Sequence, residues 1–170
     1  MARVYPKKIR ENVYRKFSEH VPSILEEHKE LFNIELASQN FEIYEGKIKG
    51  IYEKICELHV LYGDRKRRIG PTATSKLLHF FFPDLFIIWD FKNVREPKKY
   101  GESSDEYLRY LNDKRKVLLS VVDSYKRCIG GSSVQAISAI ENLRASELSA
   151  TGFGGYKKSI TKMLDEINYC

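Results

Sequence analysis

Apolar residues recur along most of this chain at the three- and four-residue spacing that is typical of amphipathic α-helices. The clearest series is Tyr44, Ile48, Ile51, Ile55 and Leu58. On a helix these side chains share one face, and such a face usually packs on a core. The spacing therefore predicts a helix from residue 44 that ends near Gly63, because glycine is common just after a last helical turn.

Further helices are predicted on both sides of this one. The pattern indicates a short helix over residues 7–17, a second over about 22–36 and another over about 71–82. Pro22 and Pro71 are each suited to the first position of a helix. The helix after Pro71 is apolar on most sides, so we expect it to be central. The apolar residues 85–89 that follow are expected to be extended.

The C-terminal half predicts one long helix. Ser103 and Glu106 have the Ser-x-x-Glu spacing of a capping box, which indicates where the helix begins. Gly130 and Gly131 are expected to end it. Its apolar stripe is Leu108, Leu111, Leu118, Val122, Tyr125 and Ile129, and Arg115 interrupts that stripe.

Two more helices are expected before the chain ends. Ser132 or Ser133 is predicted to cap the first, with Val134, Ile137 and Ile140 facing inward. Glycines within residues 152–155 indicate a turn, and a last helix follows over residues 156–167. The chain is therefore predicted to be all-α, a compact and mostly antiparallel packing of about seven to eight helices.

Length and composition predict one globular domain over residues 1–170. The chain has 170 residues, of which 42% are hydrophobic and 31% are charged. A chain of this size buries a core without metal or disulfide support. No apolar run has the length of a membrane span. The N-terminus is charged and has no apolar segment behind it, unlike a secretory signal. No membrane partner is expected.

The cysteines and histidines predict a chain without metal or other cofactor. The three cysteines are Cys56, Cys128 and Cys170, and no two have the spacing of metal ligands. An odd and scattered set argues against a disulfide framework, a zinc knuckle or an iron–sulfur cluster. The four histidines are scattered as well. A reducing, intracellular compartment is the simplest setting, either the cytoplasm or the nucleoid.

Basic residues are concentrated in two short stretches. The first is Arg65, Lys66, Arg67 and Arg68, and the second is Lys92, Arg95, Lys98 and Lys99. The net charge of the chain is +6. An excess of this size permits phosphate binding, although a solvated loop is an equally ordinary role for each stretch. The first stretch is expected to be a tight connector between two helices.

Two sequence elements carry a resemblance to a known family. Residues 69–73 (Ile-Gly-Pro-Thr-Ala) follow the first basic stretch, and residues 89–94 (Trp-Asp-Phe-Lys-Asn-Val) follow the apolar run. This arrangement resembles the helix-hairpin-helix DNA glycosylases, the superfamily of endonuclease III and 8-oxoguanine glycosylase. The resemblance covers about residues 61–95, inside a helix-hairpin-helix-like element of about 44–95. It implies a glycosylase-like fold.

The resemblance also implies a site. Asp90 is matched to the essential carboxylate that stabilises positive charge at the sugar or positions the nucleophile. A flipped base would meet Trp89, Phe91 or Tyr100. The hairpin and the helix N-terminus after it would hold DNA phosphates. The residues implied in nucleic-acid binding are Arg65, Lys66, Arg67, Arg68, Gly70, Thr72, Lys76, Lys92 and Arg95.

The chain departs from the family at the hairpin. Arg68 occupies the position of the usual first glycine, and Pro71 and Thr72 stand where bifunctional members carry a catalytic lysine. Monofunctional hydrolysis by water is therefore expected in preference to Schiff-base chemistry. Two other hypotheses stay open. One is a non-catalytic module that binds DNA or RNA on the same scaffold. The other is a helical protein-interaction domain.

Overall fold

The computed structural model describes residues 18–62, 65–89, 100–150 and 160–167, with side chains except at 60–62, 65, 144–150, 160 and 165–167. This part of the chain is mostly helical. Residues 18–27 are helical and are called α1 here. The other elements, in chain order, are α2 (Glu45–Glu57), β1 (His59–Tyr62), β2 (Arg65–Arg68), α3 (Pro71–Phe81), α4 (Ser104–Ile129), α5 (Ser133–Ala150) and α6 (Ile160–Ile167). Two 3₁₀ helices, Lys29–Asn33 and Phe41–Tyr44, lie between α1 and α2.

Helix α2 confirms the predicted apolar stripe. Ile48, Ile51 and Ile55 are completely buried, as their shared helical face requires. The predicted end near Gly63 is wrong, because the backbone turns to an extended conformation at Leu58 (φ −57°, ψ 134°). The chain leaves the helix there and enters a strand.

The basic stretch belongs to a β-hairpin, so the prediction of a tight connector is wrong. Strand β1 pairs antiparallel with β2, and His59 lies opposite Arg68 while Tyr62 lies opposite Arg65. Four consecutive cations hide the alternation by which a strand is usually predicted. The all-α prediction is confirmed only in the coarser sense that the described chain is mostly helical and carries one two-stranded ribbon.

Helix α3 begins where the sequence predicts. Gly70 has a positive φ of 40° and is the N-cap, and Pro71 occupies the first helical position. Glycine adopts this φ without the steric cost that a side chain brings, and proline is already suited to the first turn. Thr74, Ser75 and Leu78 are fully buried, whereas Phe80 is 76% exposed. The helix therefore packs on the core with one face, and the expectation of a central helix buried on most sides is wrong.

The capping box of α4 is present with one difference. The Ser103 hydroxyl accepts a hydrogen bond from the Glu106 N–H at 3.2 Å. The Glu106 carboxylate accepts from the Gly101 N–H at 2.9 Å, whereas the usual partner is the N-cap residue itself. Gly130, with φ 72°, ends the helix as predicted. The stripe is buried at Leu111, Leu118 and Val122, but Ile129 is half exposed.

The predicted N-terminal boundaries need two corrections. Residues 18–21 are already helical, so Pro22 does not open α1. The helix also stops at residue 27 and does not reach Leu36, because a 3₁₀ turn over Lys29–Asn33 follows it. The helix predicted over residues 7–17 lies outside the described residues.

Helix α5 has the predicted cap and most of the predicted inner face. The Ser132 hydroxyl accepts from the Gln135 N–H at 3.3 Å, and the Gln135 side chain accepts from the Ser132 N–H at 2.8 Å. Ile137 and Ile140 pack against the core as predicted. Val134 was also expected to face inward, but 76% of its surface is exposed, and Ala136 is buried instead. The predicted turn at 152–155 is outside the described residues.

One contiguous core joins all six helices of the described chain. Helices α1, α3, α5 and α6 each contribute one buried side chain to it, namely Ile24, Leu78, Ala136 and Leu164. Helices α2 and α4 contribute five each, and the connecting segments supply the rest. The described helices therefore pack around a common centre. None of them combines the length and the apolarity that a membrane crossing requires.

Candidate nucleic-acid interface and carboxylate site

The β-hairpin is anchored at its base. The Ile69 N–H donates to the Leu58 carbonyl at 2.9 Å, which extends the pairing of the two strands toward the helices. The Arg68 guanidinium donates to the Cys56 sulfur on α2 at 3.6 Å, and Ile69 is buried in the core. The position of the ribbon relative to α2 and α3 is therefore set by backbone, side-chain and apolar contacts together.

Three cations on β2 are exposed. Lys66, Arg67 and Arg68 all have exposed side chains, and the side chain of Arg65 lies outside the described set. Successive strand residues point to opposite faces, so Arg67 points away from the α2 side that Arg68 contacts. Consecutive exposed cations produce a positive potential that attracts a polyanion without regard to its sequence.

The N-terminus of α3 lies directly after this ribbon. No described side chain caps it, because the N-cap residue is Gly70. Thr72, in the first turn, is half-buried, and Lys76, one turn later, is exposed. Uncapped N–H groups and the positive end of the helix dipole favour an anion at such a position. Ribbon and helix end thus present positive charge on one continuous stretch of chain.

The most unusual feature of the fold is the segment between α3 and the undescribed residues. Residues 86–89, here called the anchored segment, have no regular secondary structure. Buried backbone of this kind needs hydrogen bonds from side chains, because neither of the two described strands pairs with it. Each carbonyl oxygen lies next to a side-chain donor: Phe86 next to His79 Nδ1 (2.6 Å), Ile87 next to Tyr107 Oη (2.8 Å), Ile88 next to Tyr110 Oη (3.3 Å) and Trp89 next to Ser75 Oγ (3.1 Å).

The donors come from two helices, and they fix the segment from both sides. His79 and Ser75 belong to α3, whereas Tyr107 and Tyr110 belong to α4. Because a carbonyl only accepts, His79 holds its proton on Nδ1 in this contact. The anchored segment is therefore bound on two sides by side chains that are themselves held on helices, which is a rigid way to place an irregular stretch of backbone.

The indole of Trp89 adds a third restraint. It stacks on Tyr107 and Tyr110, each with its ring centre 5.9 Å away, and meets Tyr100 edge-on at 6.5 Å. Trp89 is 1% exposed and Tyr100 is 6% exposed. Both are residues that the resemblance implies would meet a flipped base. In this structure they belong to the core, and their contacts hold the end of the anchored segment.

The structure brings some of the predicted site residues together and leaves others outside its description. Trp89 is bonded to Ser75, which lies on the same helix as Gly70, Thr72 and Lys76. The start of the predicted carboxylate segment therefore lies against the helix that follows the basic ribbon. Asp90, Phe91, Lys92 and Arg95 are outside the described residues, as is the rest of the second basic stretch.

Sequence reasoning missed the donors that hold the anchored segment. His79 is half-buried and bonded to the backbone, and no role was predicted for it. A signal was present: Ser75 and His79 are spaced i, i+4 on one helix, and Tyr107 and Tyr110 are spaced i, i+3. Buried polar side chains need hydrogen-bond partners. This spacing therefore indicates that the side chains bond to a neighbouring segment of backbone.

Tyr52 is a buried polar group of a different kind. Its ring stacks on Tyr107 at 4.4 Å, but its hydroxyl has no hydrogen-bond partner among the described residues. Burial raises the pKa of Tyr52 well above that of an exposed tyrosine. The hydroxyl therefore costs free energy in the folded state, since it gives up its bonds to water without replacing them.

Tyr52→Phe is expected to raise the free energy of unfolding by about 1 kcal/mol, because it removes this unpaired hydroxyl. Tyr107→Phe is the matched control. It removes a hydroxyl that donates to the Ile87 carbonyl at 2.8 Å, so it is expected to lower stability by about 1 to 2 kcal/mol. Urea denaturation of both variants gives the comparison. Equal losses in the free energy of unfolding of the two variants would show that the Tyr52 hydroxyl has a hydrogen-bond partner.

The same variant has an expected pH dependence. The raised pKa of Tyr52 means that the unfolded chain releases its proton first as the solution becomes alkaline. Tyr52 therefore gives the free energy of unfolding no pH dependence below the unfolded pKa of about 10, and it lowers that free energy as the pH rises above this value. The stability advantage of Tyr52→Phe over the parent should therefore widen above about pH 10. A constant difference across that range would contradict it.

The described side chains form no cluster of three or more metal-ligating groups of the histidine, cysteine and acidic types. Compared with protein-family models, with curated proteins and with solved structures, the chain has no match in any of the three.

Proposed function

We propose that this chain is a DNA-binding domain similar to base-excision DNA glycosylases, and that Asp90 is the carboxylate which promotes hydrolysis of an N-glycosidic bond. The observation that carries the proposal is the bonding of the Trp89 backbone to Ser75 on α3. Asp90 is joined covalently to Trp89. The contacts that hold Trp89 against the helix after the basic ribbon support the proposal for this reason.

The ribbon and the start of α3 are suited to the DNA backbone. Lys66 and Arg67 are exposed on β2, and Gly70 leaves the first turn of α3 without a side-chain cap. Cations and uncapped N–H groups bind phosphate oxygens independently of base sequence. Contacts of this kind give an affinity that decreases steeply as salt is added.

The proposed chemistry is hydrolysis by water. A carboxylate beside the sugar stabilises the positive charge that develops as the base leaves, or it orients the attacking water. Pro71 and Thr72 occupy the positions at which a Schiff-base lysine stands in bifunctional enzymes, so the residues present favour the monofunctional route. Such an enzyme acts on a base that has rotated out of the DNA helix.

A second candidate is a nucleic-acid-binding module without catalysis. It is favoured by the connection between α2 and α3, which is a β-ribbon over His59–Arg68 and not a short loop. A ribbon is an ordinary element for gripping a nucleic acid. Both candidates require the same cations, so a binding experiment tests them together and a variant of Asp90 separates them.

The binding experiment compares two pairs of adjacent Lys-Arg residues. Lys66→Ala/Arg67→Ala removes exposed charge from the ribbon, and Lys126→Ala/Arg127→Ala removes the same charge from an exposed part of α4. The first is expected to weaken binding of a labelled DNA duplex and to reduce the slope of log K against log salt by about two. The second should leave both nearly unchanged.

Fluorescence anisotropy with duplex and single-stranded oligonucleotides, over a series of sodium chloride concentrations, measures both quantities. If the parent protein shows no salt-dependent binding to either oligonucleotide at low ionic strength, the proposal is wrong in both forms. If the two double variants lose affinity equally, the interface is not on the ribbon.

A further inference from the structure

The C-terminal half of α4 has an apolar face that no part of the described chain covers. Val117 and Val121 lie one turn apart on it, and 52% and 47% of their surfaces are exposed. Ser124 and Cys128 continue the same line along the helix, because residues three and four apart are neighbours, and both are exposed. These four residues are here called the outer stripe. Adjacent apolar side chains on an exposed helix are typical of an interaction surface.

The polar groups of the outer stripe do not oppose burial. Ser120 and Ser124 are exposed beside the two valines. The Ser124 hydroxyl donates to the Ser120 carbonyl of the preceding turn at 2.8 Å. A hydroxyl that is bonded to its own helix loses little when water is removed from it. Serine is also small, so the axis of a second helix can come close. The outer stripe is therefore suited to contact with another helix.

The charges beside the outer stripe indicate which helix it contacts. Asp113 lies seven residues before Ser120, and Arg127 lies seven residues after it. Seven residues make almost two turns, so these three side chains lie along one edge of the helix. The Asp113 carboxylate accepts from the Tyr100 hydroxyl at 2.7 Å and is still 31% exposed. The Arg127 guanidinium is exposed and donates to the Ser124 hydroxyl at 3.2 Å. The edge thus carries opposite charges at equal distances from Ser120.

An edge of this kind is complementary to a copy of itself that runs in the opposite direction. Where two copies meet about a twofold axis at Ser120, Asp113 of each copy faces Arg127 of the other. The same alignment places Val117 of each copy beside Val121 of the other. One register therefore suits both the charged and the apolar residues. A parallel pair in register would instead place each charge beside its own kind, which is unfavourable.

We propose that α4 forms a homodimer in which the outer stripes of two copies pack antiparallel around Ser120. Each contact occurs twice, because the interface is symmetric. Two helices that meet over a few turns bury less surface than a standard interface, so we expect dissociation in the micromolar range. The surface includes none of the residues of the candidate nucleic-acid interface, and the inference does not depend on the proposed function.

Analytical ultracentrifugation of the full chain over about 5 to 500 μM tests the dimer. The average mass of the parent should rise with concentration toward that of two chains. Val121→Asp places a charge at the centre of the interface and should stay monomeric over the whole range. Because Val121 is half exposed in the single chain, the variant should keep its fold, which circular dichroism checks. A parent that stays monomeric, or one that grows beyond two chains, overturns the proposal.

A charge exchange tests the register. Arg127→Glu sets like charges against each other twice and should raise the dissociation constant of the dimer about tenfold. Combining it with Asp113→Lys restores opposite charges and should recover most of the affinity. Lys126→Glu changes the net charge equally on the opposite side of α4, and it should have little effect. If Lys126→Glu weakens the dimer as much as Arg127→Glu, or if the folded double variant recovers no affinity, the register is wrong.

Cross-linking tests the direction of the helices without altering a charge. In Ser120→Cys the two copies of position 120 are adjacent, so a short bismaleimide should join them. Cys128 lies eight residues after Ser120, so its two copies are about 24 Å apart along an antiparallel pair but adjacent in a parallel one. Mass spectrometry of the peptides identifies the linked position. A link through position 120 alone is expected, and a link between two copies of Cys128 would exclude the antiparallel arrangement.

Discussion

Asp90→Asn is expected to lower the single-turnover rate of base release by about 100- to 1,000-fold, the size of effect seen when one preorganised electrostatic group is lost. Asparagine keeps the shape of the side chain but carries no charge, so it neither stabilises a cationic sugar nor accepts a proton from water. Binding of DNA should persist or become tighter, because a negative charge near the phosphates has been removed.

Asp84→Asn is the matched control for that experiment. Asp84 is exposed, and it supports the fold through its backbone carbonyl, which accepts from the Leu36 N–H and from the Thr161 hydroxyl at 2.9 Å each. Removing its charge should change neither rate nor affinity. The rate is measured by strand cleavage at abasic sites after treatment with alkali. Equal rates for Asp90→Asn and the parent would leave the non-catalytic module as the function.

Arg115→Ala is expected to lower the free energy of unfolding by about 2 to 4 kcal/mol. The guanidinium donates to the Leu36 carbonyl at 3.0 Å and to the Ser38 carbonyl at 2.8 Å. It also forms an ion pair with Glu42 at 2.9 Å, and 14% of its side chain is exposed. Truncation leaves two carbonyls without their charged donor and opens space at the core edge.

The control for Arg115 is another arginine of the same helix. Arg109 is 53% exposed and pairs with Glu106 one turn away at 2.6 Å, a type of surface pair that contributes less than about 1 kcal/mol. Urea denaturation followed by circular dichroism compares Arg115→Ala with Arg109→Ala. Equal losses for the two variants would show that the contacts of Arg115 with the loop before α2 contribute little.

Arg115 illustrates what periodicity does not reveal. In the sequence it is only an interruption of the apolar stripe of α4. In the structure it joins α4 to a loop whose bonded residues lie 79 and 77 positions earlier in the chain. No pattern within α4 indicates those partners, because they depend on which loop packs against the helix. The burial of Ile48, Ile51 and Ile55, by contrast, follows directly from their spacing.

The candidate site likewise has features that the sequence indicates and features that only the structure shows. The basic stretch, Gly70 and the likeness of residues 89–94 to a carboxylate segment are all visible in the sequence. The ribbon was not predicted because its consecutive cations show no alternation of polar and apolar residues. Its other strand, β1, lies outside the basic stretch. The anchoring of Trp89 was missed because Ser75 lies 14 residues before it, and a single serine on an apolar helix does not indicate its partner.

The amino-acid sequence by itself determined the helices and several of their ends. Helical hydrogen bonds join residues four apart, and caps such as Ser103 and Gly70 act within one turn, so this information is local. Only the tertiary structure decided the β-ribbon, the contacts of Arg115 and the four donors of residues 86–89. The contacts of Arg115 and of residues 86–89 join distant segments, and they form where helix packing brings unpaired backbone to buried polar side chains. The ribbon pairs residues only three to nine positions apart, but its consecutive cations do not show the alternation by which a strand is recognised.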